Sequence, residues 1–304
     1  MERRPIPHTD LEVSRLCLGT MTFGTPVAEG EAAGLVRRAL ELGVNFIDTA
    51  NIYEGYSRYP GSPGGVAEAI LGRALAGCRD AVVLATKVGM KVGPSRGDEG
   101  LGRDHIRREC DRSLARLATD CIDLYYLHRP DLDVPYEETI DTLSGLIGAG
   151  KVRYWGLSNF DADQTRAVLE ACDRGGWPRP VAHQPAYSLL RRDIEAELLP
   201  LCRRQGIAVV PYRVVEGGLL TGKYSTGAPP PAGSRAADKP DWIPGLGEEG
   251  VMAALADLER QAAAAGLSLY AFALRRTLAV PGIASIVVGL RRVEQLVAAV
   301  AAVG

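Results

Sequence analysis

Eight alternations of a short β-rich run with a helical pattern run along 304 residues without a linker. They predict an α/β fold, a (β/α)8 TIM barrel forming a single domain over 1–304, with a long loop after strand seven. Several of the β-rich runs are apolar throughout, as expected when helices cover one face and a filled core the other. The rival, a doubly wound sheet, is disfavoured because no G-x-G-x-x-G opens a helix after the first strand, which continues as LGTMTFG.

The units follow in order. LCLGT (16–20) precedes a helix over 29–42, VNFID (44–48) a helix over 65–76, and AVVLATK (81–87) a helix over 103–117. IDLYYLH (122–128) precedes a helix over 136–150, and VRYWGLS (152–158) one over 161–174. VAHQ (181–184) leads to a helix over 193–205, and IAVVPY (207–212) to the long loop and two helical stretches. IASIVVG (283–289) and a helix over 292–303 complete the set. Gly43, Gly150 and Gly206 stand where helix C-caps are needed. The span 225–247, STGAPPPAGSRAADKPDWIPGLG, is too short for a domain and reads as the inserted loop.

Composition narrows the function. Hydrophobic residues make up 46% and charged residues 24%, and the formal charge of −2 gives no reason to expect nucleic acid or an anionic membrane as partner. The six cysteines show no ligand spacing, so no metal site is expected and a reducing compartment is. The N-terminal MERRPIPHTDLEVSRL lacks the apolar run of a signal peptide, and no stretch approaches the roughly 20 apolar residues of a membrane span. A cytoplasmic location is the expectation.

In such a barrel the chemistry gathers at the C-terminal strand ends. Those ends carry Thr20, Asp48 with Tyr53 in the next loop, Lys87, His128, Ser158 with Asn159, Gln184, Tyr212, and Gly289 leading to Arg291. Singly, each has an ordinary explanation: an aspartate caps a turn, a lysine is solvated, a histidine is bonded in a core. Together, Asp, Tyr, Lys and His suit one reaction. A tyrosine with an ordinary pKa of about 10 is a poor acid near neutrality. An adjacent ammonium is expected to lower that value, and a buried carboxylate to hold the ammonium. A neutral histidine can donate to a carbonyl oxygen. Such a set protonates an oxygen as hydride reaches its carbon, and the hydride must come from a cofactor.

The segments FIDTANIYEG, LATKVG, DLYYLHRPD, GKVRYWGLSNF, HQPAYSLLRR, GGLLTGKY and GIASIVVGLRRVEQL, in that order, resemble the aldo-keto reductase superfamily almost end to end. The likeness is to its bacterial branch, which is itself similar to potassium-channel beta subunits. It implies a catalytic set of Asp48, Tyr53, Lys87 and His128, with Tyr53 as proton donor, His128 orienting the carbonyl, and Asp48 and Lys87 tuning Tyr53. It implies that Ser158, Asn159 and Gln184 hold a nicotinamide amide against which Tyr212 stacks, with Thr20 and Asp48 close by. Leu219, Lys223, Ser234 and Arg235 would serve the cofactor phosphates, and Arg291 and Gln295 the adenosine end. The cations Lys223, Arg235 and Arg291 favour NADPH/NADP+ over the unphosphorylated cofactor.

Some positions depart from the family pattern. Arg213-Val214-Val215 replaces Ser-Pro-Leu, so Arg213 either pairs with pyrophosphate or faces substrate. Glu216 either repels phosphate or anchors an arginine, and Ala298 and Ala299 replace Glu-Asn. The implied partner is a small-molecule carbonyl compound, with a homo-oligomer possible. Two alternatives stand beside simple carbonyl reduction: a reductase of a sugar or nucleotide-sugar in a biosynthetic pathway, and a cofactor-binding regulatory protein.

Overall fold

Parallel strands alternating with helices dominate the computed structural model, which describes residues 1–224, 229–243 and 245–304. Before the first unit stands a feature that the sequence reading did not include, an antiparallel hairpin of β1 (Arg3–Pro5) and β2 (Glu12–Ser14). Its strands are three residues each, too short to show a period. The alternation then runs β3 (Leu16–Gly19), α1 (Glu29–Glu41), β4 (Phe46–Asp48), α2 (Val66–Ala74), β5 (Val83–Val88) and α3 (Arg103–Leu117). It continues with β6 (Ile122–Leu127), α4 (Tyr136–Gly148), β7 (Val152–Ser158), α5 (Ala162–Gly175), β8 (Ala182–Gln184) and α6 (Leu198–Gln205). Last come β9 (Ala208–Val209), the short α7 (Arg235–Asp238), α8 (Glu249–Ala264), α9 (Leu269–Leu278), β10 (Ile286–Gly289) and α10 (Val293–Val303).

Strands β3 to β10 form one eight-stranded sheet in the order β10-β3-β4-β5-β6-β7-β8-β9, parallel at every pairing. Val209 of β9 forms an isolated parallel bridge with Ile283, ahead of β10, and the Val287 N–H of β10 donates to the Pro211 carbonyl, beyond β9, at 2.9 Å. Regular pairing in the seventh sheet strand covers only Ala208–Val209, shorter than the run 207–212. Pro211 has no N–H to give to a ladder. The expected helix over 193–205 divides into a 3-10 turn at Asp193–Glu195 and α6. Of the expected loop 225–247, residues 225–228 and Pro244 lie outside the described residues.

Helix ends follow the residues present. Asp161 caps α5 reciprocally: its carboxylate accepts from the Gln164 N–H at 2.8 Å, while the Gln164 amide accepts from the Asp161 N–H at 3.0 Å. Gly206 ends α6 in the left-handed region at φ 67°, where a Cβ would be strained.

Side-chain alternation places the site. Leu16, Leu18, Ile47 and Leu84 point to the helices, whereas Cys17, Phe46, Ala85 and Leu124 pack in a second cluster with Ile6, Leu11 and Val13 of the hairpin segment. The hairpin thus plugs the end of the sheet opposite the C-terminal strand ends. Two residues along from Phe46 and Ala85, on the same inner face, stand Asp48 and Lys87. All six cysteines are free, four of them buried. Among the described residues no helix is long and apolar enough to cross a membrane, and no cluster of three or more His, Cys, Asp or Glu could hold a metal ion.

His183 on β8 is fully buried, and that burial pushes its imidazole down to about 4. The folded protein therefore holds it neutral while the unfolded chain protonates it near 6.5, so stability falls as pH drops below that value. Between pH 7.5 and pH 5 this group is expected to cost about 2 kcal/mol, and His183→Leu should remove that part of the acid dependence of the urea midpoint.

Candidate active site

Asp48 is the last residue of β4, and its carboxylate is 2% exposed. The Lys87 ammonium, projecting from β5, lies 2.5 Å from Asp48 Oδ2. It also donates to the Thr49 carbonyl at 2.9 Å and to the Tyr53 hydroxyl at 3.1 Å. Three donors meet three acceptors, which is the full capacity of an ammonium. The other Asp48 oxygen accepts from the Gln184 side-chain amide at 2.8 Å. Thr20 packs alongside, its hydroxyl donating to the Asp48 carbonyl at 3.1 Å.

The electrostatics follow from this packing. Burial works against the charged form of Lys87, but Asp48 and then Tyr53 more than offset it, and the ammonium is held well above its ordinary value. Burial raises the Tyr53 phenol above its ordinary value; Lys87 pulls the other way without prevailing. This corrects the expectation of a lowered phenol: desolvation outweighs the ammonium. Tyr53 therefore stays protonated through the neutral range, with a cation already at its oxygen should the proton leave.

His128 meets Tyr53 edge-on, ring centroids 5.9 Å apart. Burial, then Lys87 and Arg129, push its imidazole well below the ordinary histidine range, so the ring is neutral. Its Nδ1 is buried without a partner, which leaves Nε2 as the nitrogen able to meet a ligand.

Tyr53, His128 and Asp48 open on a cavity of about 830 Å³, within the usual range for small-molecule sites. On its wall a chain of polar groups links neighbouring strand ends. The Tyr212 hydroxyl donates to Asn159 Oδ1 at 2.8 Å, and the Asn159 amide donates to the His128 carbonyl at 2.9 Å and to Ser158 Oγ at 3.1 Å. Ser158 in turn donates to the Gln184 carbonyl at 2.8 Å. Asn159 is held at φ 62°, a conformation that asparagine tolerates better than most residues.

Of the other residues singled out, Arg213, Lys223, Arg235, Arg291 and Gln295 line the same cavity. Arg213 is paired with Glu216 at 3.0 Å, and Ser188 donates to the second Glu216 oxygen at 2.9 Å, so Glu216 anchors an arginine. Both residues sit at positive φ, 62° and 44°. Arg291 donates to the Gly233 carbonyl at 2.8 Å, to Asp238 at 3.0 Å and to the Tyr56 hydroxyl. Gln295 accepts from the N–H groups of Arg291 and Arg292 at the start of α10. Two residues are not on the wall. The Leu219 side chain is buried against Tyr224, Ala236 and Ile243, and Ser234 caps α7 through the Ala237 N–H. Their neighbours Gly218, Gly233 and Arg235 are on it. Ala298 also lines the cavity, whereas Ala299 is buried.

Sequence reasoning passed over Met21, Trp242, Tyr270 and Arg292, all on the wall. Trp242 carried a signal, an aromatic in the one long loop; it packs edge-on against Tyr56 at 5.2 Å. Gly217 and Gly218, both at positive φ, expose backbone to the cavity, and their adjacency in sequence was the clue.

The wall of the cavity thus carries Asp48, Tyr53 and His128 together with the cations Lys223, Arg235, Arg291 and Arg292 and apolar side chains such as Val214, Val288 and Leu290, a lining able to receive an anionic ligand. Residues 15–303 match the family model described as the aldo/keto reductase family. The chain is 32% identical to a probable voltage-gated potassium channel subunit beta of Arabidopsis thaliana, over 97% of this chain and 89% of that protein. It is 35% identical to protein tas of Escherichia coli (strain K12), over 97% and 91%. It is 31% identical to an L-glyceraldehyde 3-phosphate reductase of the same organism, over 97% and 86%.

The Asp48–Lys87 pair has no solvent to fall back on. Asp48→Asn should leave a buried ammonium without its counter-charge and cost about 3–5 kcal/mol, read from urea unfolding at neutral pH.

Proposed function

The chain belongs to the aldo/keto reductase family, and on that premise we propose that it reduces an aldehyde or ketone to an alcohol with NADPH, Tyr53 giving the proton. The observation that carries this reading is the buried Asp48–Lys87–Tyr53 chain opening on the cavity. A bound NADPH supplies the hydride. The residues of the chain do the rest. The neutral His128 ring offers an N–H to the carbonyl oxygen and orients it. Tyr53 delivers its proton to that oxygen as negative charge develops there, and Lys87 stabilises the phenolate left behind. Asp48 keeps Lys87 charged throughout.

Ser158, Asn159 and Gln184 are proposed to hold the nicotinamide amide, with Tyr212 against the ring. Gln184 suits this: its Nε2 is bonded to Asp48, so its oxygen is turned to accept. Arg213 is proposed to meet the cofactor pyrophosphate, kept in place by Glu216. Four cations on the cavity wall, Lys223, Arg235, Arg291 and Arg292, support a cofactor bearing an additional phosphate, and hence NADPH. We also read the eight-stranded sheet as a closed barrel forming one domain, supported by the backbone contacts between β9 and the segment entering β10. The narrower reading, a phosphorylated or sugar-derived aldehyde, is supported by the name of one relative. The partner-binding alternative has similar support from another.

Tyr53→Phe removes one oxygen and keeps the ring. It should lower kcat with a simple aldehyde by about 10²–10⁴-fold while NADPH still quenches protein fluorescence. Turnover at the wild-type rate would remove Tyr53 from the role of proton donor.

A further inference from the structure

Tyr53 does not stand on a strand or a helix. It sits on the loop after β4, and a proton donor on a loop needs something to fix it. The first part of that loop continues the parallel ladder beyond β4: the Thr49 N–H donates to the Ala85 carbonyl at 2.9 Å and the Asn51 N–H to the Lys87 carbonyl at 3.2 Å. The Tyr53 carbonyl then accepts from the Ala67 N–H at 3.0 Å, one of the N-terminal amides of α2 that the helix itself cannot satisfy. Tyr53 therefore hangs between β5 and α2.

Behind it lies a buried polar network that the catalytic set does not use. Asn51, Glu68, Thr86 and Glu109 are all at 0% exposure. The Asn51 amide donates to Glu109 on α3 at 3.1 Å. The Thr86 hydroxyl donates to Glu68 Oε1 on α2 at 2.6 Å, and Arg116 on α3 donates to Glu68 Oε2 at 3.0 Å. Arg116 also lies 4.0 Å from Glu109, and Arg112 reaches Glu109 from the solvent side at 2.7 Å. Two carboxylates face two guanidinium groups, so the charges balance. The backbone around the network makes room for it. Gly64 and Gly65 have φ of 70° and 84°, and a Cβ on them would fall 2.1 Å from the Asn51 carbonyl oxygen and 2.3 Å from Arg116 Nε.

We propose that Asn51, Thr86 and Glu68 are positioning residues for proton transfer: through the Glu109–Arg116–Glu68 network they fix the Tyr53 hydroxyl against the Lys87 ammonium. The proposal rests on Tyr53 being the proton donor. Its geometry is direct. Thr86 is the neighbour of Lys87 on β5, pointing outward where Lys87 points inward. Glu68 follows Ala67, whose N–H holds Tyr53. The single Thr86–Glu68 hydrogen bond therefore ties the strand bearing the ammonium to the helix end that holds the Tyr53 backbone carbonyl. Asn51, two residues before Tyr53, ties the same loop to α3. Misplacement of a reacting group by about 1 Å can cost about 100-fold in rate, so links of this kind should be visible in turnover.

The test uses the full-length protein with NADPH and a simple aldehyde, comparing Thr86→Val, Thr86→Ser, Asn51→Ala, Arg112→Ala and Tyr53→Phe. Thr86→Val and Asn51→Ala should lower kcat about 10- to 100-fold, with the NADPH Kd from fluorescence titration within about twofold of wild type. Thr86→Ser, which restores the hydroxyl, should return kcat to near the wild-type value. Arg112→Ala touches the same Glu109 from outside and should lower the unfolding midpoint without lowering kcat. If Thr86→Val keeps wild-type kcat, or if Arg112→Ala loses as much turnover as Asn51→Ala, the network is only structural and the proposal is overturned. A Thr86→Val protein that does not fold passes the decision to Asn51→Ala against Arg112→Ala. An inactive Tyr53→Phe beside fully active network variants removes this inference alone. An active Tyr53→Phe removes the functional reading and the inference with it.

Discussion

Everything at the mouth of the sheet depends on keeping one ammonium charged where there is no water. Lys87 is essentially unexposed, and so is the carboxylate beside it. A buried ion pair is worth little by itself, because desolvation of both groups offsets their attraction. It persists only when the remaining hydrogen-bonding capacity is filled. Lys87 fills its capacity with Asp48, the Thr49 carbonyl and the Tyr53 hydroxyl, and Gln184 takes up the second Asp48 oxygen. Each of these partners comes from the end of a strand or the loop that follows it. The parallel sheet is therefore part of the chemistry: its register brings Asp48 opposite Ala85, two residues before Lys87, on a common inner face.

The same pair decides what Tyr53 can do. Burial alone would make the phenol a very weak acid, and the adjacent ammonium reduces that penalty without removing it. The result is a group that holds its proton at neutral pH, as the proposed proton donor must. His128, kept neutral by burial and by the same ammonium, complements it as a donor that carries no charge of its own into the cavity. Burial thus sets the protonation state of both groups on the cavity wall, and one cation moderates it in Tyr53 and reinforces it in His128.

Much of this was legible in the sequence. Asp48, Lys87, His128, Ser158 and Gln184, each at or beside a strand end, could be placed on one rim because apolar runs mark roughly where strands stop and the two-residue alternation fixes which face each side chain takes. Three things were not legible. The β1–β2 hairpin is too short for periodicity to show. The direction of the Tyr53 shift depends on how deeply the phenol is buried, which no sequence pattern encodes. The link from Asn51 to Glu109 joins residues 58 apart that meet only because α3 packs behind the β4 loop. The pairing of Arg213 with Glu216 was visible as a question, two opposite charges three apart, but the positive φ values that turn them toward each other come from the fold.

A crystal structure with NADP+ bound tests the central claim most directly. The account predicts the nicotinamide amide bonded among Ser158, Asn159 and Gln184, the ring against Tyr212, and the Tyr53 hydroxyl still on Lys87 and facing the space above the ring. A dinucleotide seated elsewhere, or a Tyr53 hydroxyl parted from Lys87 and turned away from the nicotinamide, would contradict it.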